Sequence, residues 1–283
     1  MRRSRIWRSI QSVLFPYIPL IIVLILLLFP LYWMLVTSLK GLAETFNFNE
    51  APLWVKQPTI SNYIWLFTKI PYGRWYLNSL FVTLLTTAFS LLVSVMAGYA
   101  IAHLRFKGAA LIGVLIFITY LVPKTLLFVP LSVVTEQIKL FGSLPSLLLA
   151  YPTFVIPFCT WLLSGYFRTI PLEPEECAMV DGCSRIGAIA RITIPMAVPG
   201  ILTAGIFGFT LSWNELLYAF VLVNGEANRT IPVGLMNNLV NRDYYIWGPL
   251  MAGATLGSIP VAIFYFFFMD LYVSGLTSGA VKG

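Results

Sequence analysis

Carboxylate side chains, which can pair with a cationic surface, are concentrated in one short segment of this sequence. Of the eleven acidic residues in the chain, four lie in this nine-residue segment and seven lie outside it. Its four carboxylates are Glu173, Glu175, Glu176 and Asp181. Only 10% of the chain is charged, whereas soluble domains carry about 25%. We expect this acidic segment (residues 173–181) to lie outside the membrane and to contact another molecule.

The residues in and after the acidic segment predict two short helices joined by a tight turn. Pro174 suits the first helical position, and the carboxylates that follow it lie where the helix dipole favours negative charge. Gly182 is a stop signal, and Ser184 can cap a second helix over residues 185–194. Pro195 is expected to separate that second helix from the next membrane span.

An acidic face beside a small apolar face predicts that the first helix docks into a groove on a partner. The alternative is an amphipathic helix at the lipid interface. Such helices usually carry lysine and arginine on the polar face, so the acidic composition favours docking.

The rest of the chain predicts an all-α membrane protein. Its 283 residues are 59% hydrophobic, with a mean hydropathy of +0.85. A hydrocarbon core of about 30 Å requires about 20 apolar helical residues. Six stretches qualify, namely residues 13–37, 75–102, 109–129, 144–164, 200–223 and 248–272. Arginines before the first stretch place both termini in the cytoplasm, which puts the acidic segment in a large cytoplasmic loop (residues 165–199).

This plan predicts three regions. Residues 1–74 form an N-terminal arm, the first span and a long external loop with short surface helices. Residues 75–272 form a five-helix core that carries the loop of residues 165–199. Residues 273–283 form a short cytoplasmic tail.

Several classes of protein are disfavoured by the residue inventory. The net charge of +7 comes mostly from scattered residues, so we expect no nucleic-acid partner. One histidine and three cysteines without metal-site spacing predict no metal site and no catalytic residues. The sequence also has no phosphate-binding loop of the form G-x-x-x-x-G-K-[ST], so we expect no cofactor on this chain.

Polar residues inside the predicted spans are candidates for a gate or a translocation pathway. Glu215 lies toward the outer end of the fifth predicted span, where an ionisable group suggests function. A structural hydrogen bond is the equally weighted alternative for this carboxylate. The other candidates are Trp213, Asn214, Tyr151, Thr153 and Trp161.

The acidic segment resembles the EAA motif of permease subunits from binding-protein-dependent ABC importers. That motif has the form E-A-A-x-x-D-G-A with a proline downstream. Here it reads Glu176-Cys177-Ala178-Met179-Val180-Asp181-Gly182-Cys183, with Pro195 beyond. Five further stretches, at residues 78–80, 98–102, 105–108, 212–215 and 275–283, resemble the carbohydrate branch and its six-span, maltose-type permease.

The resemblance implies the type I ABC importer permease fold, with six transmembrane helices and a coupling helix between spans four and five. It assigns ATPase coupling to Glu175, Glu176, Ala178, Asp181, Gly182 and Pro195. Within this set Glu176 contacts the ATPase, Gly182 permits the turn, and Asp181 caps or orients the loop.

The resemblance also implies a division of labour in a bacterial or archaeal cytoplasmic membrane. An external solute-binding protein delivers a sugar, and a second permease, expected to be a different chain, completes the pathway among the membrane lipids. Two ATPase subunits bind ATP and magnesium. A stand-alone, gradient-driven secondary transporter is the alternative, and a membrane-embedded enzyme is the third candidate.

Overall fold

A computed structural model describes residues 2–46, 53–104, 106–240 and 245–277. Helices make up its regular structure, and no β-strand occurs in these ranges apart from isolated bridges. In chain order the α-helices are α1 (Arg2–Ser38), α2 (Leu42–Phe46), α3 (Ser61–Lys69), α4 (Tyr72–His103), α5 (Ala109–Leu121), α6 (Lys124–Gln137), α7 (Pro145–Ala150), α8 (Pro152–Phe167), α9 (Glu173–Val180), α10 (Arg185–Ala188), α11 (Ile194–Trp213), α12 (Leu217–Leu222), α13 (Ile231–Leu239) and α14 (Trp247–Thr277). A π turn (Ile189–Thr193) joins α10 to α11, and a 3-10 turn (Glu226–Asn228) precedes α13.

Residues 1–70 and 237–256 form one compact unit of the chain. Within it, the Asn62 side chain ties α3 to the end of α1, because Nδ2 donates to the carbonyl oxygens of Ser38 at 2.9 Å and Lys40 at 2.8 Å. The hydroxyls of Ser38 and Tyr63 lie 2.7 Å apart. The predicted short helices of the first loop are thus present as α2 and α3.

Residues 71–236 and 257–283 form a second compact unit. Its core is built by α4, α8 and α11, which pack on one another. Gly98 allows α4 and α8 to approach closely, since a Cβ there would lie 3.0 Å from Leu163 Cβ. Leu163 and Phe167 on α8 are fully buried in this core.

Within the described ranges, five helices are long and apolar enough to cross a membrane, and a bent pair, α5 with α6, makes up to six. The predicted third span, residues 109–129, is present as two helices with a break at Pro123. The two helices meet at 93°, because Pro123 lacks a backbone donor and forces Val122 before it into extended backbone (φ −64°, ψ 125°). Helix α6 then runs to Gln137, into the residues predicted as a connection.

The predicted fifth span, residues 200–223, is wrong at both ends. A continuous helical path runs from Arg185 to Trp213, so Pro195 does not separate the second loop helix from the span. The π turn opens the backbone ladder at this point, where Ile194 N donates to Ile189 O, and proline is tolerated in the first turn that follows. The path ends at Trp213, and α12 is a separate helix.

The predicted last span is present as α14, which extends to Thr277. It therefore takes up part of the predicted tail. Residues 278–283 lie outside the described part of the chain, as does Arg105 in the stretch that resembles the carbohydrate branch.

Candidate functional site

The acidic segment forms α9, and this helix ends in a Schellman turn, in which the residue that follows the helix has a left-handed backbone conformation. Gly182 has φ +91°, a conformation that costs little only for glycine. Its N–H donates to Met179 O at 3.1 Å, and Cys183 N donates to Ala178 O at 2.9 Å. These are the two bonds that define this helix end. The predicted stop at Gly182 is confirmed.

The predicted cap of the second helix is also present. Ser184 Oγ accepts from Gly187 N at 3.2 Å and begins α10, which satisfies one of the free donors at a helix start. Pro174 occupies the second position of α9, one later than predicted, since the helix begins at Glu173. Helix, turn and helix thus form one continuous element.

The two adjacent glutamates of α9 face opposite environments. Glu176 is exposed, whereas the side chain of Glu175 is only 4% exposed. Neighbouring residues of a helix point about 100° apart, so a surface helix can present one carboxylate to solvent and turn the next inward. The resemblance placed both residues in one coupling set, and the structure separates them.

The carboxylate of Glu175 lies between two other elements. Its Oε1 accepts from Tyr99 Oη of α4 at 2.5 Å, and its Oε2 accepts from Thr193 Oγ1 of the π turn at 2.6 Å. His103 Nδ1, also on α4, lies 4.0 Å from Oε2. All four residues are buried, so the carboxylate joins the acidic segment to two membrane helices.

The histidine beside this carboxylate is held in place by the core. His103 Nε2 lies 2.7 Å from Phe167 O, and a carbonyl oxygen only accepts, so Nε2 carries the proton in this contact. The rings of Tyr99, His103 and Phe167 pack edge to face, with centroids 5.1–6.0 Å apart. The packed rings at the ends of α4 and α8 therefore form one side of the site that holds the Glu175 carboxylate.

The outer face of the element combines apolar and acidic side chains. Val180 is 87% exposed and Ile186 is 80% exposed, and they flank the turn at Gly182. Glu176, Cys177 and Asp181 are exposed in the same element, while Ala178 is half-buried. Pro195, the remaining predicted coupling residue, is exposed in the first turn of α11. We call the set of Glu176, Cys177, Val180, Asp181 and Ile186 the docking surface.

The predicted gate residues at the end of α11 have structural contacts. Trp213 is 5% exposed, and its Nε1 donates to Gly257 O at 2.9 Å. Its ring stacks on Phe209 at 5.6 Å. Asn214 is exposed and bonds back to Thr210 O at 3.0 Å. Trp213 thus holds α11 against α14, and Asn214 ends α11.

Glu215 lies in the break between α11 and α12 rather than inside a span. Its Oε2 accepts from Tyr218 N at 3.0 Å and from Ala219 N at 3.2 Å. These donors belong to the first turn of α12, where a carboxylate caps the helix. A structural hydrogen bond, the alternative to a gating role for Glu215, is therefore supported by the geometry.

The remaining candidates lie on α8 or, for Tyr151, directly before it. Tyr151 is buried against Phe154, and Thr153 Oγ1 donates to Ala150 O at 2.6 Å. Trp161 is 49% exposed and packs on Phe117. The Tyr151 side chain interacts with Glu215, and Thr153 interacts with Tyr218, whose backbone N–H donates to Glu215 Oε2 at 3.0 Å. Three of the six candidates therefore lie in one region. Among the described residues, no group of three His, Cys, Asp or Glu is placed to hold a metal ion.

One charged residue near Glu215 was missed by sequence reasoning. The Lys124 ammonium, at the start of α6, lies 3.9 Å from the centroid of the Phe154 ring and attracts the Glu215 carboxylate. This cation–π contact is formed because the bend at Pro123 turns Lys124 toward α8.

Comparison with known proteins identifies the family. Residues 90–278 match the family described as binding-protein-dependent transport system inner membrane component. The chain belongs to this family of ABC importer permeases. Such a permease is a multi-pass membrane component of a transporter and not its catalytic subunit.

Curated relatives of this permease cover nearly its whole length. It is 39% identical over 257 residues to the sulfoquinovosyl glycerol transport system permease protein SmoH of Agrobacterium fabrum, covering 90% of this chain and 89% of the relative. It is 34% identical over 284 residues to the trehalose transport system permease protein SugB of Mycobacterium tuberculosis, covering 100% and 99%.

A solved structure supports the permease fold. A chain of a bacterial ABC transporter involved in the import of the acidic polysaccharide alginate superposes with a TM-score of 0.78 and 22% identity, covering 96% of this chain and 98% of that one. At this identity the likeness establishes the fold.

Two residues of the Glu175 cluster carried little signal in the sequence. Tyr99 lies in a stretch that resembles the family, but its hydroxyl partner is 76 residues away. Thr193 is one threonine in an apolar run. A buried carboxylate needs donors, which predicts that partners exist without saying which residues they are.

Proposed function

We propose that this permease is one of two membrane subunits of a sugar importer and that its docking surface binds an ATP-hydrolysing subunit. The observation that carries the proposal is the outward-facing helix–turn–helix with Val180 87% exposed and Ile186 80% exposed. Apolar side chains this exposed, next to carboxylates, are typical of an interaction site.

We infer the remaining parts of the importer from the chain's membership of this family. A second, different permease completes the pathway, an external solute-binding protein supplies the sugar, and two ATPase subunits each bind ATP and magnesium. The chain spans a bacterial or archaeal cytoplasmic membrane, with both termini and the docking surface on the cytoplasmic side. A sugar is the proposed cargo because SmoH and SugB are named for sulfoquinovosyl glycerol and trehalose.

Reconstitution in proteoliposomes tests this proposal. The complex of this chain, its partner permease, its ATPase and its binding protein is expected to take up a sugar from a mixture of trehalose, maltose, diacetylchitobiose and sulfoquinovosyl glycerol only when ATP is supplied on the ATPase side. Glu176→Lys reverses a charge on the docking surface and should lower ATP-driven uptake at least about tenfold, because like charges at a contact cost several kcal/mol and about 1.4 kcal/mol corresponds to a factor of ten.

The matched control is Glu136→Lys, the same change at an exposed glutamate of α6, which should keep normal uptake. Two outcomes contradict the proposal. One is normal uptake by Glu176→Lys at normal abundance. The other is gradient-driven uptake by the purified chain alone, which supports the secondary transporter instead.

A further inference from the structure

Helix α9 is attached to the rest of the protein by a single buried side chain. All eight of its residues are described, and Glu175 is the one among them that is buried. A helix on a protein surface is usually held by an apolar stripe. Here Pro174, Ala178 and Met179 are only half-buried and a carboxylate is the one fully buried side chain, so hydrogen bonds make a large contribution to the position of α9.

A cavity beside Glu175 increases the dependence of the position of α9 on the hydrogen bonds of this carboxylate. A cavity of about 510 Å³ opens next to Glu175 and is lined by Tyr99, His103, Glu176, Met179 and Arg185 among others. Because residues of both α9 and α4 line this cavity, direct contacts between the two helices are limited to the remaining part of their interface. The bond between Glu175 Oε1 and Tyr99 Oη is the shortest of them, at 2.5 Å.

The chemistry of the contact suits a rigid joint. Burying a carboxylate is costly unless donors satisfy its oxygens. Here each oxygen has one hydroxyl donor, from Tyr99 at 2.5 Å and from Thr193 at 2.6 Å, and hydroxyl bonds to a carboxylate are the short, strong kind. The two donors belong to different elements, so one side chain fixes α9 relative to both.

The π turn places the second donor. Thr193 is the last residue of that turn, and a π turn shifts the register of every later side chain relative to an α-helix. The continuous helix that begins at Arg185 carries Ile186 of the docking surface and becomes α11 in the membrane. A displacement of α9 therefore reaches α4 through Glu175, and it reaches α11 through Glu175 and through the helix backbone.

We propose that Glu175 is a positioning residue, the joint through which movement of the docking surface reaches α4 and α11, with Tyr99 and Thr193 as its two anchors. The inference rests on the proposed function, since it assumes that an ATPase moves the docking surface. It gives the two neighbouring glutamates different tasks: Glu176 contacts the partner, and Glu175 passes the movement inward.

The test uses the assembled importer and three variants that keep side-chain volume: Glu175→Gln, Tyr99→Phe and Thr193→Val. ATP hydrolysis is measured against the concentration of the solute-binding protein, supplied with the four-sugar mixture. The maximal stimulated rate should fall about tenfold in Glu175→Gln and Tyr99→Phe, the factor expected when one hydrogen bond to a charged group is lost. The half-saturating concentration of binding protein should stay unchanged, because the variants leave the external side of the permease, which the binding protein contacts, intact.

Two further comparisons separate a joint from general destabilisation. The double variant Tyr99→Phe with Glu175→Gln should lose less than the two single losses combined, since one change removes the Tyr99 donor and the other removes the charge of the Glu175 acceptor in the same contact. Thr169→Val is the matched control for Thr193→Val, because Thr169 is exposed and its hydroxyl bonds only to Tyr166 O in the preceding turn. Hydrogen exchange of residues 173–180 should rise in the three variants and stay normal in the control.

Wild-type stimulation in Tyr99→Phe and Glu175→Gln would overturn the inference, as would additive losses in the double variant. Glu176→Lys in the same assay keeps the two proposals apart. If Glu176→Lys loses stimulation while the Glu175 cluster variants keep it, only the joint is wrong. If Glu176→Lys also keeps normal stimulation, the proposal that the docking surface binds the ATPase is wrong.

Discussion

Gly182→Pro is expected to lower ATP-driven uptake by about a hundredfold or more. Proline fixes φ near −65°, whereas the Schellman turn requires φ +91° at this position. Proline also removes the N–H that donates to Met179 O at 3.1 Å. Backbone strain and the lost bond together disfavour the turn by roughly 3 kcal/mol. Uptake in proteoliposomes, normalised to the amount of assembled complex, measures the effect.

A second variant at the same position isolates the backbone as the cause. A Cβ at Gly182 would meet nothing within 4 Å, so side-chain volume is not the constraint. Asparagine tolerates positive φ better than other side chains do, and Gly182→Asn should keep most of the uptake. Normal uptake by Gly182→Pro, or equal loss in both variants, would show that the turn geometry is not what the importer needs.

Gly234→Ala is expected to destabilise the core around α4. An added Cβ would lie 2.2 Å from Cε3 and 2.3 Å from Cδ2 of Trp75. The Trp75 ring cannot move aside easily, because it is fully buried and its Nε1 donates to Glu226 O at 2.7 Å. Overpacking of this kind costs about 1–3 kcal/mol, which lowers the Tm by roughly 2–12 °C in a protein of this size.

The control for Gly234→Ala is another helical glycine of the same unit. A Cβ at Gly205 would lie 3.5 Å from Leu91 Cδ2, an ordinary van der Waals contact. Gly205→Ala should therefore leave the thermal unfolding temperature of the purified protein within about 2 °C of the parent. A Tm for Gly234→Ala as high as that of Gly205→Ala would show that Trp75 is not confined as described.

Local signals in the sequence predicted the acidic element well. Glycine, serine and proline act on the backbone within a few residues, so the stop at Gly182 and the cap at Ser184 followed from the printed sequence alone. The break at Pro123 has the same local origin, although its angle of 93° depends on how α6 packs. Hydropathy located the membrane helices to within a few residues at most boundaries.

Features that depend on distant contacts were not predictable in this way. Which of Glu175 and Glu176 turns inward is decided by donors on α4 and the π turn, and Tyr99 is 76 residues from Glu175. Pro195 was expected to end a helix because no local pattern announces the π turn that accommodates it. Glu215 was placed inside a span because its role as a cap requires knowing that α11 ends at Trp213.

The binding of an ATPase to the docking surface is tested most directly at Cys177. This thiol is exposed on the surface, whereas Cys159 is buried and Cys183 is half-buried. A Cys183→Ala variant therefore leaves Cys177 as the accessible thiol, and its maleimide labelling rate is measured by mass spectrometry. We expect the rate to fall at least about tenfold when the ATPase subunits are bound, since a buried thiol is shielded from the reagent. An equal labelling rate with and without assembled ATPase subunits would contradict the account.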